Sequence, residues 1–228
     1  MATQGFSESG FCCCEPRSCR GWSALMLFAA ASWLRSGFKQ QLLELCSEVN
    51  AIDSETTLEE MGFQDLRFEP STHPLQPDSS AAVLGEQVGL LVAPIKAKDR
   101  ALAKIENDYQ VDFKAGKKQE MPLARYLCDF LRATIFASDP FVLAVAFHKL
   151  KEHPEVVRVK NKFRDEKTPE TRTNILVNLW IRHGDEEQIG EVQFLLQDYL
   201  TAKSLQHLYY DVVRAERPAE PWDKPIFR

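Results

Sequence analysis

Residues Tyr126 to Ala137 read YLCDFLRATIFA, a run rich in β-branched and large apolar side chains, and Ser138-Asp139-Pro140 follows at once. The run predicts a strand, and the Ser-Asp-Pro sequel predicts a helix start with proline in its first turn. Working outward, Phe141 to Lys151 reads as that helix, stopped at His153-Pro154. Val156 to Phe163, Asn174 to Ile181 and Ile189 to Leu196 read as three further strands, and Asp198 to Arg214 as a closing helix. Upstream, Lys96 to Phe113 is expected to be helical, with Ala101, Leu102, Ile105 and Tyr109 at apolar spacing. A βαβββα order preceded by a basic helix predicts an α/β (α+β) domain, a mixed sheet packed by flanking helices.

Alternation within the strands predicts what each face carries, because side chains point to opposite faces with a period of two. Arg158, Lys160 and Lys162 fall on one face of their strand, and Val157, Val159 and Phe163 on the other. Ile175, Val177, Leu179 and Ile181 make an apolar face with Asn174 and Asn178 opposite. Glu191 and Gln193 share a face, with Val192, Phe194 and Leu196 behind them. If the polar sets coincide, one sheet face carries cations beside a carboxylate, the arrangement that accommodates a polyphosphate and its metal ion. Any antiparallel sheet with one wet face shows the same alternation. Trp180 and Phe194 are expected in the core, and Cys128 as a buried packing residue.

Hydrophobic residues are 44% of the 228 and charged residues 27%, the balance of a folded globular protein. A net charge of -5 argues against sequence-independent nucleic-acid binding, which needs a positive surface. All cysteines but Cys128 lie at or before Cys46, so they cannot staple the sheet region, and Cys12, Cys13 and Cys14 lack the second half of a zinc site. That triplet is read either as a reduced tail or as a site of S-acylation. The apolar run Trp22 to Leu34 is shorter than a membrane span. Its pattern continues through Phe38, Leu42 and Leu45 as an amphipathic helix, with a targeting segment as the rival reading. The expected organisation is an N-terminal tail and helix over 1–52, a Pro-, Ser- and Glu-rich linker over 53–80, a folded domain over 81–215 and a C-terminal tail over 216–228. A cytoplasmic location is expected, with N-terminal membrane association as the alternative.

Four short motifs occur in order: DFLRA (Asp129 to Ala133), VKNKF (Val159 to Phe163), EVQ (Glu191 to Gln193) and His207 to Tyr210, preceded by the basic Lys96-Ala-Lys98-Asp-Arg100 and Lys104. From about Pro94 to Arg214 this series resembles the RelA/SpoT synthetase domain, and more closely its divergent relatives with DLLRA, VKNRF, EVQ and H..Y. The resemblance implies a nucleotidyltransferase-like mixed sheet and a pyrophosphokinase reaction, in which the β,γ-diphosphate of ATP passes to the 3′-hydroxyl of a guanine nucleotide. It implies Asp129 and Glu191 as catalytic carboxylates holding Mg²⁺, with Glu191 also orienting the acceptor hydroxyl. Lys96, Lys98, Arg100 and Lys104 would grip the donor's phosphates, and Lys160, Lys162, Gln193 and His207 would complete the substrate site.

The chain departs from the family between the VKNKF and EVQ segments. Synthetases of this kind carry N-G-Y-Q-S-L-H there, with the tyrosine stacked on guanine; here Glu170 to Leu176 reads ETRTNIL. Arg172 takes the tyrosine's place and can stack through its planar guanidinium, and Leu176 takes that of the histidine. An impaired module that binds a nucleotide or a protein partner is therefore the alternative expectation. A membrane-associated regulatory protein is the third.

Overall fold

A computed structural model describes residues 24–52, 75, 82–85, 87–118, 120–164 and 173–203. Helix α1 (Ala24–Asn50) comes first, then strands β1 (Ala82–Leu84) and β2 (Val88–Val92). Helix α2 (Lys98–Lys104) runs through a π turn (Ile105–Tyr109) into α3 (Gln110–Lys114). Strand β3 (Leu131–Ala137), helix α4 (Pro140–Lys151) and strands β4 (Val156–Asn161), β5 (Ile175–His183) and β6 (Glu186–Leu196) follow, with residues 197–203 helical. One six-stranded sheet takes the order β1-β2-β3-β6-β5-β4. Only β3 and β6 run parallel; every other neighbour is antiparallel. The mixed sheet with flanking helices is as expected, and β3 to β6 reproduce the βαβββ order.

Local chemistry explains the joints. Asp139 caps α4 by accepting from the backbone N–H of Phe141 at 2.7 Å, with Pro140 in the first turn. β5 and β6 form a hairpin through Gly184 and Asp185, and Gly184 has a φ of 61°, a conformation only glycine adopts without strain. Gly190 on β6 is needed for close approach: a Cβ there would lie 3.2 Å from the Phe38 ring.

The core lies on one sheet face. Ile135, Val177, Leu179, Val192 and Phe194 are buried there beneath α1 and α4. Helix α1 contributes Ala31, Leu34, Phe38, Leu42 and Val49, all fully buried at helical spacing. Each such large side chain contributes roughly 1.5–3 kcal/mol by leaving water. Asn50, its last residue, accepts from the backbone N–H of Gln87 at 2.7 Å and Val88 at 3.0 Å, tying the helix to β2.

The amphipathic helix expected from the N-terminal apolar run packs on the sheet as α1, because its apolar stripe is the complement that face requires. Three expectations need correction. Strand β3 starts at Leu131 rather than Tyr126: residues Leu123–Tyr126 form a 3-10 turn, and Asp129 precedes the strand instead of opening it. Strand β4 ends at Asn161, so Lys162 and Phe163 lie in a 3-10 turn; Val157 and Val159 are exposed because β4 is an edge strand. Trp180 is half-buried on the polar side, with the Arg182 guanidinium 5.7 Å from its ring. Strands β1 and β2 were absent from the sequence reading, and the closing helix beyond residue 203 lies outside the described residues.

Candidate functional site

The polar face is built by register. In one row across the sheet Arg132 of β3 stands beside Glu191 of β6, which pairs with Asn178 of β5, which pairs with Arg158 of β4. The next row runs Thr134, Gln193, Leu176 and Lys160. The parity expected for Arg158, Lys160, Asn178, Glu191 and Gln193 is therefore realised on a single face.

Glu191 is half-buried and held by its neighbours. Gln193 donates to its Oε1 at 2.9 Å, and Gln193 in turn accepts from Lys203 Nζ at 2.7 Å. The amide is thereby fixed with its nitrogen toward the carboxylate and its oxygen toward the ammonium. Burial lowers the pKa of Lys203; the negative charge of Glu191 opposes this, while the positive charges of Lys162 and Arg132 reinforce it. Glu191, Lys162 and Arg132 are thus the charged neighbours of Lys203.

A second cluster lies at the start of β3. Ala93 donates its backbone N–H to the Arg132 carbonyl at 2.9 Å and Lys96 donates to Phe130 at 3.4 Å, so the segment after β2 runs alongside the approach to β3. Lys96 Nζ then reaches Asp129 Oδ2 at 2.5 Å, and Lys104 Nζ, from the end of α2, reaches the same oxygen at 2.9 Å. Burial on its own would raise the pKa of Asp129, but the charge of Lys104 and the bonds from both lysines outweigh it and leave the pKa lowered. The two lysines diverge. Burial, reinforced by the charges of Lys104 and Arg132, pulls Lys96 down despite its carboxylate partner. For Lys104, Asp129 and Tyr109 overcome burial and push it up. Tyr109, brought inward by the π turn, donates to the Tyr126 carbonyl at 2.9 Å, and burial raises its pKa to about 12.

Arg132 joins the clusters, as strand partner of Glu191 and electrostatic neighbour of Lys96. Neither Arg132 nor Lys203 was among the residues singled out from sequence. Arg132 was legible within DFLRA, since it has the opposite parity to Leu131 and Ala133. Lys203 carried no signal before the helix after β6 was placed against the sheet. The Lys98 ammonium lies 4.9 Å from the centre of the Phe28 ring on α1. Arg100 is on the exposed side of α2 and Lys160 on the exposed edge strand. Arg172 and His207 lie outside the described residues.

The Mg²⁺ expectation is tested by the donor set. Asp129 Oδ2 is occupied by two ammonium groups, while Oδ1 is buried without a hydrogen-bond partner. No group of three or more His, Cys, Asp or Glu side chains that could hold a metal ion occurs among the described residues. A protein-built cage is not what these residues make. They fit an ion carried on a ligand's phosphates that needs only one carboxylate, and Glu191 is the one without an ammonium bonded to it in the described contacts.

A hollow of about 390 Å³ exists elsewhere, between α1 and α4, lined by Gln41, Glu44, Glu48, His148 and His153 among others. It lies on the helix-covered side of the sheet. Its Lys149 is paired with Glu48 at 3.0 Å, and its walls hold an excess of carboxylates, the wrong charge for a phosphate ligand. No helix among the described residues is long and apolar enough to cross a membrane.

Fold and site together define an α+β domain with one sheet face closed by helices and the other carrying Arg132, Glu191, Gln193 and Lys160. No protein-family model and no curated protein matches the chain. Among solved structures, small alarmone synthetase 1 from Bacillus subtilis bound to its product pppGpp is similar at 13% identity and TM-score 0.41, over 59% of this chain and 66% of that one. Small alarmone synthetase 2 from the same organism is similar at 12% identity and TM-score 0.42, over 86% of both chains. A GTP pyrophosphokinase family protein from Streptococcus pneumoniae is similar at 10% identity and TM-score 0.43, over 80% of this chain and 78% of that one.

Proposed function

We propose that the polar sheet face binds the polyphosphate of a nucleotide, and that the domain is a RelA/SpoT-like pyrophosphokinase acting on ATP and a guanine nucleotide. The observation that carries this is the row that sets Glu191 beside Arg132, with Gln193 tying Glu191 to Lys203. The acceptor's 3′-oxygen attacks the β-phosphorus of ATP, the bond from that phosphorus to the α,β-bridging oxygen breaks, and AMP leaves. Glu191 orients the acceptor hydroxyl and takes its proton. Arg132, Lys96, Lys104 and Lys203 offset the negative charge of the phosphates, with Lys160 and Lys162 at the far side of the face. Glu191 would hold a magnesium ion brought in with the phosphates, and the ion would supply further neutralisation of the transferring group.

A second reading, a module that binds nucleotide without transfer, has one specific observation in its favour. Leu176 sits on the polar face directly across from Gln193, where the resemblance implies a histidine. Incubation of the protein with ATP, Mg²⁺ and each of GDP, GTP, GMP and AMP, followed by separation of the nucleotides, decides between them. The pyrophosphokinase reading expects AMP and a guanosine tetra- or pentaphosphate, both lost in Glu191→Gln. Absence of product with every acceptor, alongside measurable ATP binding, would leave the binding module.

A further inference from the structure

Asp129 is the residue whose surroundings fit its expected metal role least. Its Oδ2 accepts from Lys96 at 2.5 Å and from Lys104 at 2.9 Å, and the Asp129, Lys96 and Lys104 side chains are only 14%, 12% and 30% exposed. The two lysines arrive from different places: Lys96 from the extended segment after β2, Lys104 from the last turn of α2. Without a common anion, two ammonium groups so close would repel and part. With it, they are pinned at the start of β3, and the trio keeps one net positive charge. Each ammonium carries three N–H donors and gives one to Asp129, so donors remain on both for a ligand. A divalent cation on the same carboxylate would have to displace the ammoniums or lie against them.

We propose that Asp129 is a positioning residue for anion binding, an internal counter-ion that presents Lys96 and Lys104 as a paired phosphate grip and holds no metal itself. The proposal rests on the reading that this face takes a polyphosphate, and it reassigns the acid within that site. Asp129 then acts in the absence of any metal, whereas a metal ligand acts only in its presence.

Calorimetry of the full chain with inorganic tripolyphosphate, once in EDTA and once in Mg²⁺, separates these roles. The parent is expected to bind in EDTA. Asp129→Asn should bind at least about tenfold more weakly in EDTA, since both charge-assisted contacts lose their anchor, and Asp129→Glu should recover most of the affinity. An Asp129→Asn variant with parental affinity in EDTA and a loss confined to Mg²⁺ would make Asp129 a metal ligand and overturn the proposal. Tighter binding by that variant would overturn it too, by making the acid a competitor of the ligand. A parent that binds no tripolyphosphate in either condition refutes the polyphosphate reading, and the proposal with it. Should Asp129→Asn fail to fold, Lys96→Gln and Lys104→Gln take its place: each is expected to weaken tripolyphosphate binding in EDTA at least about tenfold, and parental affinity in EDTA for both would refute the proposal.

Discussion

On one side of the sheet Ile135, Val177, Val192 and Phe194 meet α1 and α4 and are lost to solvent. One residue further along the same strands, Thr134, Asn178, Glu191 and Gln193 present hydrogen-bonding groups on the other side, with Arg132 among them. Because the period of a strand is two, a single sheet supplies both a packing surface and a chemical one without either sequence interrupting the other. Substitutions on the first face should therefore act on stability, and those on the second on ligand chemistry.

The sharpest break of this division would come from Phe38→Ala in α1. Phe38 is fully buried against the sheet, so its truncation is expected to cost about 3–5 kcal/mol in urea unfolding. A variant as stable as the parent would show that α1 is not part of the core. Asn50→Ala should follow at about 1–3 kcal/mol, because it strips the acceptor from the backbone N–H groups of Gln87 and the fully buried Val88. On the opposite face, Glu191→Gln should change unfolding stability by no more than about 1 kcal/mol while removing the proposed pyrophosphate transfer; a collapse in stability would place Glu191 in the scaffold instead.

Acid sensitivity gives a smaller effect. A carboxyl whose pKa is lowered in the folded chain contributes stability that is present above its unfolded value of about 3.9 and is lost as pH falls through the folded one. Asp129→Asn should therefore flatten part of the stability loss on the acid side of pH 4, measured as thermal midpoint against pH. Smallest of all is Cys46, whose thiol is pushed up to about 12 by burial. It should resist alkylation at pH 8 in the folded protein and react on unfolding.

The fold was largely legible because its strands are punctuated by strong local signals: Ser138-Asp139-Pro140 and His153-Pro154 both mark real boundaries. Parity carried the polar face, since Glu191, Gln193 and Asn178 need only alternation to be placed together. Local patterning marks α1 as amphipathic but could not show which face of which element it covers. Short β1 and β2 lacked alternation, and Val88 to Val92 is a continuous apolar run that periodicity does not assign. Within the site, Lys96 to Phe113 reads as one helix, but Lys96 lies before α2. It meets Lys104 through Asp129, a tertiary contact that no spacing encodes. The same holds for Lys203, brought to Gln193 by the turn from β6 into the following helix.

The nucleotide is expected on the polar sheet face and not in the hollow between α1 and α4. Titration of the isotopically labelled full chain with ATP, followed by backbone amide shifts, tests it most directly. Shifts are expected at Phe130, Arg132, Glu191, Gln193 and Lys203, with Gln41, His148 and His153 unmoved. Shifts centred on Gln41, His148 and His153, or none at millimolar ATP, would contradict it.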